Sequence, residues 1–169
     1  MTESNNAQAQ QQTPQPNPAL LRLDAFVGEW QWEASVSGQP MGRGRTAFEW
    51  LEGEAFLVQH ADAEPALPSA PAEWVANSPF PLATIIGLDD STERYCMLYA
   101  DSRGVFRVYQ MSLNDGVWKM WREVPGFFQR FTGTFSDDGN TITAYWEGSR
   151  DGSNWEHDFD LTYTKVKEK

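Results

Sequence analysis

The chain has 169 residues, 40% hydrophobic and 14% aromatic, with 8 Trp and a formal net charge of −11 at pH 7. That length is enough for one domain with a sizeable core, and the acidity argues against nucleic acid or an anionic membrane surface as main partner, since both require clustered Lys and Arg. The lone Cys96 excludes an internal disulfide and a cysteine-based zinc site.

No apolar run approaches the ~20 residues of a membrane span. The N-terminus lacks the basic and apolar regions of a signal peptide, so a cytoplasmic, bacterial-type protein is expected. Residues 1–17 are rich in Gln, Asn and Pro. They bury too little surface to offset ordering entropy and are expected to form a disordered tail, leaving residues 18–169 as a single domain. Pro18 to Val27 reads as a short helix, with Leu20, Leu21, Leu23, Phe26 and Val27 on one broad face. Asn17 is placed to cap it and Pro18 to open it.

Gly28 opens the first strand, in which Trp30, Trp32, Ala34 and Val36 alternate with Gln31, Glu33 and Ser35. A turn around Gly38-Gln39-Pro40 leads to a strand over Arg43–Leu51. A Glu52-Gly53 turn leads to another over Glu54–Asp62. Ala63 to Pro81 then breaks the rhythm with five prolines, and carries Trp74 and Phe80. A loop this long is either a functional lid or an insertion that covers one end of the fold. Strands resume at Leu82–Leu88, Glu93–Ala100, Val105–Ser112, Gly116–Glu123, Phe127–Phe135, Thr141–Gly148 and Trp155–Val166. Turn signals such as Asn114-Asp115-Gly116 and Asp151-Gly152-Ser153-Asn154 separate them. Asp137-Asp138-Gly139-Asn140 resembles part of a calcium loop, but lacks the distal glutamate and reads better as a hairpin turn. About ten short strands with no room for a crossover helix predict an all-β, up-and-down antiparallel β-barrel, wide enough to hold a ligand.

The short helix followed by Gly28-Glu29-Trp30 on the first strand resembles the calycin superfamily, which includes the lipocalins. There, the tryptophan of Gly-x-Trp plugs one barrel end. The chain is more closely similar to a group of uncharacterised bacterial lipocalin-like proteins. The shared stretches are Phe48-Glu-Trp-Leu-Glu-Gly53, Asp101-Ser-Arg-Gly104, Pro125-Gly-Phe-Phe-Gln-Arg-Phe131 and Trp155-Glu-His-Asp-Phe-Asp-Leu161. This resemblance implies the barrel and no particular chemistry. Two more distant likenesses imply ligands. Fatty-acid-binding proteins hold a carboxylate with an Arg-x-Tyr pair; Arg107-Val108-Tyr109 has that spacing, away from the family's C-terminal position. Nitrobindin-like barrels bind haem through a histidine, but neither His60 nor His157 lies in a comparable stretch.

Alternation gives the candidate lining. On one strand Arg107, Tyr109 and Met111 share a face; on the next Trp118, Met120 and Arg122 do, if Lys119 faces out. On the last strand Trp155, His157, Phe159, Leu161 and Tyr163 form the apolar face. A buried arginine stays charged and needs an anion, either a ligand carboxylate or phosphate or an internal carboxylate such as Glu49, Glu123, Glu147 or Asp158. His157 reads as a core histidine bonded to a neighbour, as a general acid or base, or as a metal or haem ligand. His60 is less informative. No metal-ligand spacing, phosphate loop, dinucleotide fingerprint or nucleophile elbow is present, so no metal is expected. The leading reading is a barrel that binds a small apolar or aromatic, anionic ligand through Arg107, Tyr109, Trp118, Met120, Arg122, Trp155, His157 and Phe159. The alternatives are an enzyme using His157 for acid–base chemistry, or a haem-binding barrel. The expected partner is a small hydrophobic or anionic organic ligand; nucleic acid and membrane are not expected, and the oligomeric state is left open.

Overall fold

The computed structural model describes residues 16–51 and 53–167. Nearly all of the expected disordered tail, and Glu52 of the Glu52-Gly53 turn, lie outside the described residues. A 3-10 helix spans Pro18–Phe26. Ten strands follow: β1 (Gly28–Val36), β2 (Gln39–Trp50), β3 (Leu57–Ala63), β4 (Leu82–Leu88), β5 (Tyr95–Asp101), β6 (Phe106–Asn114), β7 (Val117–Arg122), β8 (Phe128–Phe135), β9 (Thr141–Ser149) and β10 (Glu156–Lys165). One α-helical turn, α1 (Ala72–Ala76), interrupts the connection between β3 and β4. Each strand pairs antiparallel with its sequence neighbours, and β1 pairs with β10 to close the barrel. Closure leaves no strand edge unpaired. No helix among the described residues is long and apolar enough to cross a membrane.

Local chemistry explains the tight meander. Ser37-Gly38 and Asp115-Gly116 both have positive φ at two successive residues. That is the type I′ geometry whose twist matches a two-residue hairpin, and it suits Gly and Asp. Strands carry their apolar residues at every second position, so one face is buried; in β1 these are Trp30, Trp32 and Ala34.

The N-terminal helix closes one end of the barrel. Asn17 caps it by accepting from the Ala19 N–H at 2.9 Å, and Pro18 occupies the first turn. Its buried residues are Leu20, Leu23 and Phe26. That three-residue spacing is the period of a 3-10 helix, so one face is repeated every turn. Leu21, expected on the apolar face of an α-helix, is 64% exposed for the same reason. Phe26 enters an aromatic cluster with Phe48, Trp118 and Phe135 at centroid distances of 5.3, 4.8 and 5.2 Å. The fully buried Trp30 donates from Nε1 to the Phe26 carbonyl at 2.7 Å. Trp50 Nε1 donates to Asp24 at 2.7 Å and Tyr95 donates to the Ala19 carbonyl. The helix is thus fastened to the barrel by aromatic side chains from three strands.

The connection over residues 64–81 closes over the other end. Trp74 of α1 meets Phe159 edge-on at 5.4 Å, and Phe80 stacks on Trp32 at 4.5 Å. The turn after β5 holds this segment. Ser102 donates from its N–H to the Pro79 and Pro81 carbonyls and from Oγ to the Phe80 carbonyl, and Arg103 Nη1 reaches the Asn77 carbonyl at 3.1 Å. Asp101 orients that arginine through contacts at 2.6 and 3.2 Å.

Candidate ligand-binding cavity

Between the plug and the covering segment lies a cavity of about 740 Å³. This falls within the range of sites that enclose drug-sized ligands. Its floor is Trp118, Phe131 and Tyr163, with Trp118 resting edge-on against Phe26 below and Phe131 beside it at 4.5 Å. Trp118 Nε1 is buried with no hydrogen-bond partner among the described residues. Met97, Met120, Trp146 and Leu161 build the walls. Trp32, Trp74, Phe80 and Phe159 narrow the covered end.

Two groups of polar side chains interrupt this apolar lining. The first comes from β6 and β8. Tyr109 donates to Gln129 Oε1 at 2.8 Å; Arg107 Nη1 reaches the same oxygen at 3.1 Å and the Tyr109 hydroxyl at 3.4 Å. The Arg107 guanidinium lies 5.1 Å from the Phe127 ring centre. Among the described residues it has no carboxylate partner. By contrast, Arg43, Arg103 and Arg130 pair with Glu64, Asp101 and Glu147 at 2.7, 2.6 and 2.6 Å. A half-buried guanidinium held only by neutral groups keeps its charge available for an anion.

The second group comes from β2, β3 and β4. Thr46, Gln59 and Thr84 are each buried and each line the cavity. Thr46 donates to the His60 carbonyl at 3.0 Å, Gln59 Nε2 donates to Thr46 at 3.1 Å, and Thr84 donates to Gln59 Oε1 at 3.1 Å. Tyr99 joins them from β5, donating to Asp101 at 2.8 Å. Burial, the bond to Asp101 and that carboxylate's charge all push the Tyr99 phenol well up, so it remains a donor. Burial alone would raise the Asp101 carboxyl. The hydrogen bonds from Arg103 and Tyr99 and the Arg103 charge outweigh it and hold Asp101 at about 2.

Of the residues expected from alternation, Arg107, Tyr109, Trp118, Met120 and Phe159 line the cavity. Arg122, Trp155 and His157 do not. Arg122 ends β7, half-buried at the rim opposite Gln129, and contributes with Trp121, Phe106 and Val108 to a depression outside the barrel. Trp155 precedes β10 and lies on the outer surface, 4.0 Å beneath the Arg130 guanidinium. His157 is displaced by a β-bulge. On β10, His157 pairs with Glu147 while Phe159 pairs with Trp146, so Asp158 is an extra residue. One extra residue exchanges the two faces of a strand. Phe159, Leu161 and Tyr163 therefore face inward and His157 outward, its side chain 50% exposed and 3.2 Å from Asp160. His60 is exposed on the outer face of β3. Of the carboxylates considered for an internal pair, Glu147 is on the outside with Arg130, and Asp158 lies at the cavity lining.

Alternation overlooked Gln59, Thr84 and Gln129. Their signal was present, since Leu57, Gln59 and Ala61 alternate with His60 and Asp62, and Gln129 shares parity with Phe131. A polar residue on an apolar face is hard to recognise without its bonding partners from other strands.

The class defined by this fold is a closed ten-stranded antiparallel barrel, plugged at one end and enclosing a cavity. No protein-family model matches the chain, and no curated protein matches it in sequence. Among solved structures it is similar to the crystal structure of Rv2717c from M. tuberculosis, with 13% identity and a TM-score of 0.54. The likeness covers 90% of this chain and 99% of that one. At that identity it concerns the fold alone.

Proposed function

We propose that this chain is a lipocalin-like binding protein that encloses a small, largely apolar organic anion, with the anionic head on Arg107. The observation that carries this reading is a guanidinium without a carboxylate partner in the lining of an aromatic cavity. Tyr109 and Gln129 fix its position, so little ordering remains to be done when a carboxylate or phosphate arrives. The aromatic floor of Trp118, Phe131 and Tyr163 accommodates the apolar body. Met120 and Phe159 complete that surface. Enzymatic and haem-binding readings both require a histidine toward the cavity, and neither His60 nor His157 lines it. The binding reading is therefore preferred.

Calorimetric titration with decanoate and decanol tests it. Arg107→Met retains the bulk and removes the charge. Loss of a charge-assisted bond of about 1.5–3 kcal/mol should weaken decanoate by about tenfold to a hundredfold. Decanol should be nearly unaffected. Equal weakening of both would make Arg107 a structural residue, and absence of decanoate binding to the unmodified protein would remove the proposal.

A further inference from the structure

The bonding pattern around Gln59 is incomplete in a specific way. The single Thr46 hydroxyl proton is used on the His60 carbonyl, so Thr46 can only accept from Gln59. This fixes the amide orientation, with Nε2 toward Thr46 and Oε1 toward the Thr84 hydroxyl proton. One N–H of Gln59 then has no partner among the described residues, while Thr84 and Oε1 retain lone pairs. These groups are buried in the lining of an aromatic cavity, where an unused donor is costly.

Strand register ties this group to Arg107. Gln59 pairs with Thr84, Thr84 with Tyr99, and Tyr99 with Arg107. The four therefore form one cross-strand row along β3, β4, β5 and β6, all on the inner face. Three inter-strand steps separate its ends, about 14 Å between backbones along the wall. Across the barrel from β3 stands β8, the fifth strand away in either direction; it presents Phe131 and, bonded to Arg107 and Tyr109, Gln129. The polar row thus runs from Gln59 to Arg107 and ends at Gln129, beside the aromatic Phe131.

We infer that Gln59 and Thr84 form a second, neutral subsite, and that the ligand is a hydroxylated organic acid with its hydroxyl at Gln59 and its carboxylate at Arg107. A hydroxyl both accepts and donates, which matches the unused N–H of Gln59 and the free lone pairs beside it. A carboxylate alone would leave this subsite unanswered. The inference rests on the anion-binding reading and adds the chemistry of the remainder of the ligand.

Calorimetry with omega-hydroxydecanoate and decanoate tests it, since the extended chain is of the same order as the row. The hydroxy acid should bind about tenfold more tightly, the effect of satisfying one buried hydrogen-bonding group. Gln59→Leu keeps the approximate volume and should abolish or reverse that preference while decanoate still binds. If the unmodified protein binds decanoate as well as the hydroxy acid, the second subsite is wrong and the anion site stands. If the preference survives in Gln59→Leu, Gln59 is not the subsite. If neither acid binds, the reading beneath the inference fails and the inference with it. Should Gln59→Leu not fold, the comparison of the two acids on the unmodified protein decides alone.

Discussion

Trp30→Ala gives the sharpest test of how the barrel is plugged. Trp30 has 0% of its surface accessible and lies edge-on to Phe135 at 6.3 Å. Truncating a large buried aromatic to Ala costs about 3–5 kcal/mol through lost burial and the cavity left behind. The change also removes the 2.7 Å bond that holds the Phe26 carbonyl, the last residue of the helical plug. A buried carbonyl deprived of its donor costs about 1–3 kcal/mol. Partial solvent access to the new cavity would offset part of that, so about 5 kcal/mol in total is expected. For a chain of this size each kcal/mol lowers the melting temperature by about 2–4 °C, giving a fall of about 10–20 °C. Trp30→Phe retains much of the packing and loses the bond, so it should cost about half as much. Thermal unfolding followed by far-ultraviolet circular dichroism reads both. A fall below about 3 °C for Trp30→Ala, or equal effects of Ala and Phe, would refute the account in which this bond seats the plug.

Three other outcomes follow from the geometry. Gly44→Ala places a Cβ 2.0 Å from the Asp62 carbonyl oxygen and 2.7 Å from the Trp32 ring; backbone must move, and the urea midpoint should show a loss of about 3 kcal/mol. Asp101 has its carboxyl lowered from 3.8 to about 2 in the folded protein. Its contribution is therefore present above pH 4 and lost as pH falls toward about 2; Trp74 and Trp32 emission should change over that window, and Asp101→Asn should remove that part of the change. Arg130 grips Glu147 through two bonds of 2.6 and 3.0 Å while covering Trp155. Arg130→Lys loses the fork and the stacking, and chemical denaturation should report about 1 kcal/mol or less because the pair is partly exposed.

The architecture was legible because local rules agreed. Turn residues with positive φ recur between alternating strands, and the Gly-x-Trp strand follows a short capped helix. Alternation also placed Arg107, Tyr109, Trp118 and Met120 in the lining, since β6 and β7 run without irregularity over those residues. It failed where the strand itself does. Nothing in Glu156-His157-Asp158 announces an extra residue, and parity carried back from Tyr163 across that point assigns His157 to the wrong face. Arg122 shows a different limit. Its parity is inward, but it is the last residue of β7, at the rim beyond the cavity. The Gln59 network was illegible for a third reason. It joins residues 46, 59 and 84, and their bonding depends on a register that no single strand encodes.

The bulge at Asp158 also works as a frameshift. A strand is read in steps of two, and one inserted letter changes the phase of everything on one side of it. Deleting Asp158 would remove the offset but keep the phase: His157, then directly before the inward Phe159 and still opposite Glu147, would go on facing solvent. An internal histidine, the group that acid–base chemistry or haem ligation on this scaffold would require, would instead need a residue added to β9 between Trp146 and Glu147, which gives Asp158 a partner and carries the inward phase of Phe159 back to His157. Nuclear magnetic resonance of that insertion variant would register the change as His157 ring protons in contact with the aromatic lining. A His157 ring still open to solvent would mean that the strand had re-registered elsewhere.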